Sequence, residues 1–257
     1  MDRAKRAFVI LMLGMTLLGV DLAGCGGGAN SVAVQVGRTP ITRDSVKHWM
    51  DVIAGEVSTS SGQPKPSVPA PPEYTACISY KRKYPDAPQS AQAAPPVARL
   101  RRECDFEFHK EKLKSLYFLI SSRWVEGAAR ELGISPTYGE LRRQIAPLVG
   151  RFPNKTVARR FLVGVRGSEA DLVARLKVVL LTSKIQRELE DRQKNLAKAE
   201  RQRALDAFGR SFVRTWRART SCHSGYVVPI CKQLYRPPKL SSTLLPPAVP
   251  LTKMTAE

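Results

Sequence analysis

Acidic residues are few for the number of basic ones: 22 Asp and Glu stand against 42 Lys and Arg, giving a formal net charge of +20. An excess of this kind points to an anionic partner surface; charge that simply solvates helix faces is the competing explanation. Histidine is scarce, at three residues. No Cys-x-x-C occurs, so the thioredoxin-type redox chemistry that motif supports has no basis here. A phosphate-binding glycine loop, a metal-ligand cluster and a nucleophile–base constellation are missing too. Their absence favours binding over catalysis, and no cofactor or metal is called for. Long apolar runs are also lacking. The longest, from Ala7 to Val20, falls short of the roughly 20 residues a membrane-spanning helix needs, and Asp21 ends it.

That short run sits between Arg3, Lys5 and Arg6 on one side and Leu22-Ala23-Gly24-Cys25 on the other. A basic start, a short apolar middle and small residues before a cut describe a secretory signal. The stretch resembles the bacterial lipoprotein box. The resemblance implies that residues 1–24 are removed and that the Cys25 thiol receives a diacylglyceryl group as the new N-terminus. An ordinary signal peptide with a chance cysteine is the alternative. Gly26-Gly27-Gly28 then makes residues 25–30 a flexible tether, since a glycine-rich segment behaves as loose coil. The expected setting is extracytoplasmic, anchored to the bacterial cell membrane. Nucleic acid is not an expected partner there. Anionic lipid headgroups are, with each nearby Lys or Arg contributing about 1 kcal/mol.

With Cys25 lipidated, Cys77, Cys104, Cys222 and Cys231 remain. An even number in an exported protein reads as disulfides. Three pairings are open. Joining neighbours, Cys77 to Cys104 and Cys222 to Cys231, is the simplest and would stabilise the fold by roughly 3.5 and 2.5 kcal/mol in the chain-entropy model. His223 beside Cys222 invites zinc, but too few further ligands lie nearby for a site.

Apolar spacing lays out the rest. Val32, Val34 and Val36 alternate as in a short strand, Gly37 to Pro40 supply a turn, and Thr42 can cap a helix carrying Val46, Trp49, Met50, Ile53 and Val57. From Ser58 to Pro96 repeated prolines forbid a regular helix, apart from one or two turns around Cys77. This reads as a Pro-rich excursion tied back by a disulfide. Val97 to Leu132 reads as a long helix with Leu100, Cys104, Phe108, Leu116, Ile120, Trp124 and Ala128 on one face, stopped at Gly133. Glu103 and Glu107 share a face and invite comparison with catalytic carboxylates, yet their basic neighbours make ion pairs the expected use. A further helix starts at Ser135-Pro136, with Pro147 bending or ending it. Asn154 caps a short one, and Ser168 with Asp171 resembles a capping box. Residues from Leu172 to Trp216 form either one very long helix or two packed antiparallel with a break near Asn195. Beyond Cys231 the sequence is proline-rich and thinly apolar, so 232–257 is expected to be a disordered tail.

Three stretches together resemble the SurA/PrsA-type foldases: "VAVQVGRTPITRDSVKHWM", "SSRWVEGAARELGISPTYGELRRQI" and "FGRSFVRTWRARTSCHSGYVVPIC". The resemblance implies a mainly α fold, a SurA N-terminal or trigger-factor-C-terminal-like helical chaperone domain over 31–231 with a short N-terminal strand. The parvulin-type prolyl isomerase domain that such proteins commonly insert has no room here, between Leu189 and Leu205, and its site histidines are missing: His48, His109 and His223 lie in the wrong segments. The expectation is therefore the chaperone framework without the enzyme. Its partners would be unfolded or partly folded exported polypeptides. Trp49, Tyr117, Trp124, Phe161, Phe208, Phe212 and Trp216 are the candidates for contacting them, each with core packing as its alternative. A basic envelope scaffold binding anionic polymer, lipid or a folded partner is the second reading.

Overall fold

The computed structural model describes residues 31–58, 68–84, 95–164 and 167–235. The folded unit begins at Val32. It is mainly helical, with seven helices and three short strands among the described residues.

Strand β1 (Val32–Val36) pairs antiparallel with β2 (Thr39–Thr42), Val36 facing Thr39 across a two-residue loop. Gly37 takes φ 56° in that loop, a backbone conformation that a β-carbon disfavours. The turn is therefore shorter than Gly37 to Pro40. Pro40, with no N–H to give, is tolerated because β2 is the edge of a sheet ordered β2-β1-β3. Thr42 Oγ1 accepts from the Ser45 amide at 3.1 Å and starts helix α1 (Arg43–Ser58).

Helix α2 (Thr75–Lys83) follows a Tyr74 held at φ 54°. The Tyr74 hydroxyl donates to Asp105 Oδ1 at 2.6 Å, and burial together with that bond pushes its pKa up. Helix α3 (Val97–Glu131) is the central element, burying Leu100, Cys104, Leu116, Ile120, Trp124 and Ala128. Gly133 ends it at φ 70°, with its amide bonded to Arg130 O and that of Ile134 to Ala129 O at 2.8 Å. That bond pair satisfies orphan carbonyls at the helix end.

Helix α4 (Tyr138–Val149) begins later than Ser135-Pro136. Its N-cap is Thr137, because Glu140 completes a reciprocal capping box there. Pro147 lies within its last turn. Helix α5 (Lys155–Gly164) has Asn154 Oδ1 accepting from the Val157 amide at 3.0 Å. Ser168 and Asp171 form a capping box at the start of α6 (Glu169–Arg192). The stretch to Trp216 is two helices: α6 stops at Arg192 and α7 (Lys198–Ala218) starts anew, laying Phe212 and Trp216 against α3. Strand β3 (Thr220–Cys222) then returns to β1, so the end of the helical run closes onto its beginning.

The core joins the sheet's Val34, Val36 and Ile41 to Val46 and Trp49 of α1, Leu116, Ile120 and Trp124 of α3, Leu181 of α6 and Trp216 of α7. A smaller cluster of Tyr74, Cys77, Ile78, Leu100 and Cys104 seals α2 onto α3, and Phe108 touches both. Disulfides join Cys77 to Cys104 and Cys222 to Cys231. Lys232 and Gln233 are tied to the sheet rather than loose: the Lys232 amide donates to Thr220 O at 2.9 Å and the Cys222 amide to Gln233 Oε1 at 3.0 Å. Residues 236–257, Cys25 and the leader before it lie outside the described residues.

Candidate functional site

The aromatic residues divide once placed. Trp49, Trp124 and Trp216 are 7%, 4% and 7% exposed and belong to the core, so they present no ring to a client in this conformation. Each has an internal partner. Trp49 packs on Phe118 with centroids 4.2 Å apart. Trp124 Nε1 donates to Thr220 Oγ1 at 2.8 Å, and that hydroxyl donates to Trp216 O at 2.7 Å. The Trp216 indole lies across Gly127, where a β-carbon would sit 2.7 Å from Cζ3 and 2.8 Å from Cζ2. Tyr117, Phe208 and Phe212 are half-buried. The latter two line a small hollow with Ala128, Leu132 and Trp216. Phe161 lies on α5, and its side chain is outside the described residues.

Glu103 and Glu107 make ion pairs. Lys81 of α2 reaches Glu107 at 2.8 Å and Glu103 at 3.6 Å, while Arg99 holds Glu103 at 3.0 Å. They clamp α2 to α3 beside the Cys77–Cys104 bridge.

A cleft of about 510 Å³ opens elsewhere, between α1, the Val68–Pro71 segment, α3 and the Cys222–Cys231 loop. Val46, Met50, Val68, Pro69, Pro71 and Phe108 form its apolar wall. Tyr226 closes one side. The two disulfides tie down segments that adjoin or line the cleft. One keeps Tyr226 in a nine-residue loop, and the other fixes α2, which follows the Pro71 segment, to α3. None of the cleft's aromatic residues was among the sequence candidates. Four separate segments build it, and no local spacing joins Met50 to Tyr226.

Charge at the cleft is mostly positive. Arg43, Lys47 and Lys112 line it with Asp44 and Asp51. Lys112 Nζ stands 4.4 Å from the Tyr226 ring centroid and 5.6 Å from that of Phe108, and Arg43 Cζ is 5.6 Å from Tyr226. The two cations thus share one ring. Burial, then the Arg43 charge, pull the Lys112 pKa below its ordinary value.

Elsewhere the titratable groups hold helices together. His48 Nε2 lies 2.7 Å from Asp171 Oδ1, linking α1 to the start of α6. Burial pushes the Asp171 carboxyl up, but hydrogen bonds from His48 and Ser168 outweigh it and hold the pKa below the ordinary value. Glu140 is held down to about 2 by the Thr137 amide, Lys184 and the Thr137 hydroxyl. A basic stripe runs along α7, where Arg210, Arg214 and Arg217 flank the exposed Val213 in a broad groove with Lys232.

Among the described residues no helix is long and apolar enough to cross a membrane, and no group of His, Cys, Asp and Glu is placed to hold a metal ion. No protein-family model, curated protein or solved structure matches the sequence or the fold. The class that fold and site define is a mainly helical protein with two disulfides, consistent with an oxidising, extracytoplasmic setting.

Proposed function

We propose that the protein is a lipid-tethered, extracytoplasmic binding protein that holds unfolded or partly folded exported polypeptides near the membrane. The observation that carries this reading is the cleft: open, apolar-walled, of a volume for two or three side chains, and built from segments that two disulfides help to hold. An unfolded polypeptide offers apolar side chains that such a surface covers without demanding one sequence. Tethering through Cys25 would keep this site close to where exported polypeptides emerge. The test is suppression of aggregation of an unfolded polypeptide by the oxidised protein, compared with an Ala70→Trp variant. Ala70 lines the cleft from an exposed position, so the new indole fills the space without disturbing the core. Suppression that Ala70→Trp abolishes supports the reading, and none at stoichiometric excess refutes it. A Cys25→Ser change should release the protein from the membrane.

The second reading, a scaffold on anionic lipid or polymer, is favoured by the α7 stripe. Arg210, Arg214 and Arg217 recur at helical spacing of four and three, so like charges crowd one face. Salt separates the two readings. Charge-driven association weakens steeply as ionic strength rises, whereas apolar binding persists.

A further inference from the structure

We infer that the cleft contains an anion-binding subsite and selects segments in which a carboxylate lies beside an apolar residue. This rests on the polypeptide-binding reading and names the chemistry of its ligand. Arg43 and Lys112 converge on Tyr226 from α1 and α3, and no described carboxylate pairs with either. Lys112 is half-buried and Arg43 exposed, and the ring face compensates only partly for bringing the two like charges together. A carboxylate entering between them would receive charge-assisted hydrogen bonds from an ammonium and a planar guanidinium. The dry wall of Val46, Met50 and Pro69 strengthens those bonds and seats the neighbouring apolar side chain.

The charge balance also limits the ligand. Against Arg43, Lys47 and Lys112 stand Asp44 and Asp51, both on α1. A multiply charged anion entering the cleft would meet those two acids as well as the bases. A single carboxylate fits, whether it is the C-terminus of a polypeptide or an Asp or Glu side chain.

Three dansyl-labelled peptides test this on the oxidised full-length protein by fluorescence anisotropy. One is Val-Leu-Phe-Ala with a free C-terminus, one is the same peptide amidated, and one is amidated with Glu replacing Ala. The free acid, the Glu peptide or both should bind about tenfold tighter than the neutral amide, the scale of a charge-assisted hydrogen bond. Whichever gains identifies the source of the carboxylate. Lys112→Met keeps the stem's packing and should erase the preference without lowering the thermal midpoint, since it removes a repulsion. Arg43→Gln provides a second variant and should also erase it. Equal affinity for all three peptides, or a preference that survives in both variants, overturns the subsite and leaves the polypeptide-binding reading standing. Binding that Ala70→Trp does not reduce, or no binding of any peptide, overturns the cleft reading itself.

Discussion

Replacing Gly127 with alanine sets two effects of opposite sign against each other. In the middle of a helix the change should gain about 1 kcal/mol from backbone propensity alone. Here the added methyl would fall inside the Trp216 indole, against Cη2 and within 2.7 and 2.8 Å of Cζ3 and Cζ2. Ordinary carbon contacts need about 3.5–4.0 Å, so the ring must move by an ångström or more. Trp216 is 7% exposed, and its carbonyl accepts from Thr220, which in turn accepts from Trp124. Such a ring has little room to shift. Overpacking typically costs about 1–3 kcal/mol and expelling a large aromatic about 3–5. Subtracting the helix gain leaves a net loss of about 0–2 kcal/mol if the ring shifts in place and about 2–4 kcal/mol if it is expelled. A ring this confined points to the second, a fall in thermal midpoint of about 4–16 °C for a domain of this size. Thermal unfolding followed by circular dichroism measures it, and tryptophan emission should move to the red as the indole is displaced. A variant as stable as the parent or more so would show that α7 does not lie across α3 at Gly127.

Acid should weaken the fold through Glu140 and Asp171. Both carboxyls titrate lower when folded than unfolded, so their contribution is complete above the unfolded value near 4 and drains away as pH falls, for Glu140 toward about 2. A Glu140→Gln, Asp171→Asn double variant should flatten the acid limb of a pH–stability curve; an unchanged limb would refute the linkage. Thr220→Val keeps the shape but leaves the Trp124 indole N–H without its acceptor, at a cost of about 1–3 kcal/mol in denaturant unfolding. Replacing Cys222 and Cys231 by serine removes a nine-residue loop closure worth roughly 2.5 kcal/mol in the chain-entropy model. It frees Tyr226 as well, so peptide affinity should drop further than stability alone explains.

Much of the framework is legible in the sequence because it is local. The four-residue recurrence from Leu116 through Ile120 and Trp124 to Ala128 sets one face of α3, and Ser168 with Asp171 announces α6. What escapes is set by long-range pairing. Three residues, Thr220 to Cys222, carry no strand signal of their own and become β3 only because β1 offers its free edge. Pro40 looks like part of a turn until the edge position of β2 makes its missing N–H harmless. Ser135 resembles a cap, but only Thr137 has Glu140 at the reciprocal spacing. Aromatic spacing likewise cannot separate rings that fill a core from rings that face a ligand. The indoles of Trp49, Trp124 and Trp216 turn inward, while Phe108 and Tyr226, one inside a helix stripe and one in a disulfide loop, meet at the cleft.

Site-specific photocrosslinking addresses the cleft most directly. A photoreactive side chain placed at Ala70, on the cleft wall, is compared with one at Tyr138, which is 81% exposed and outside it. Both proteins are irradiated with a purified, reduced and alkylated polypeptide that cannot fold. Capture at position 70 and not at 138 is the predicted result. Equal capture at both positions, or capture at 138 alone, would contradict a binding role for the cleft.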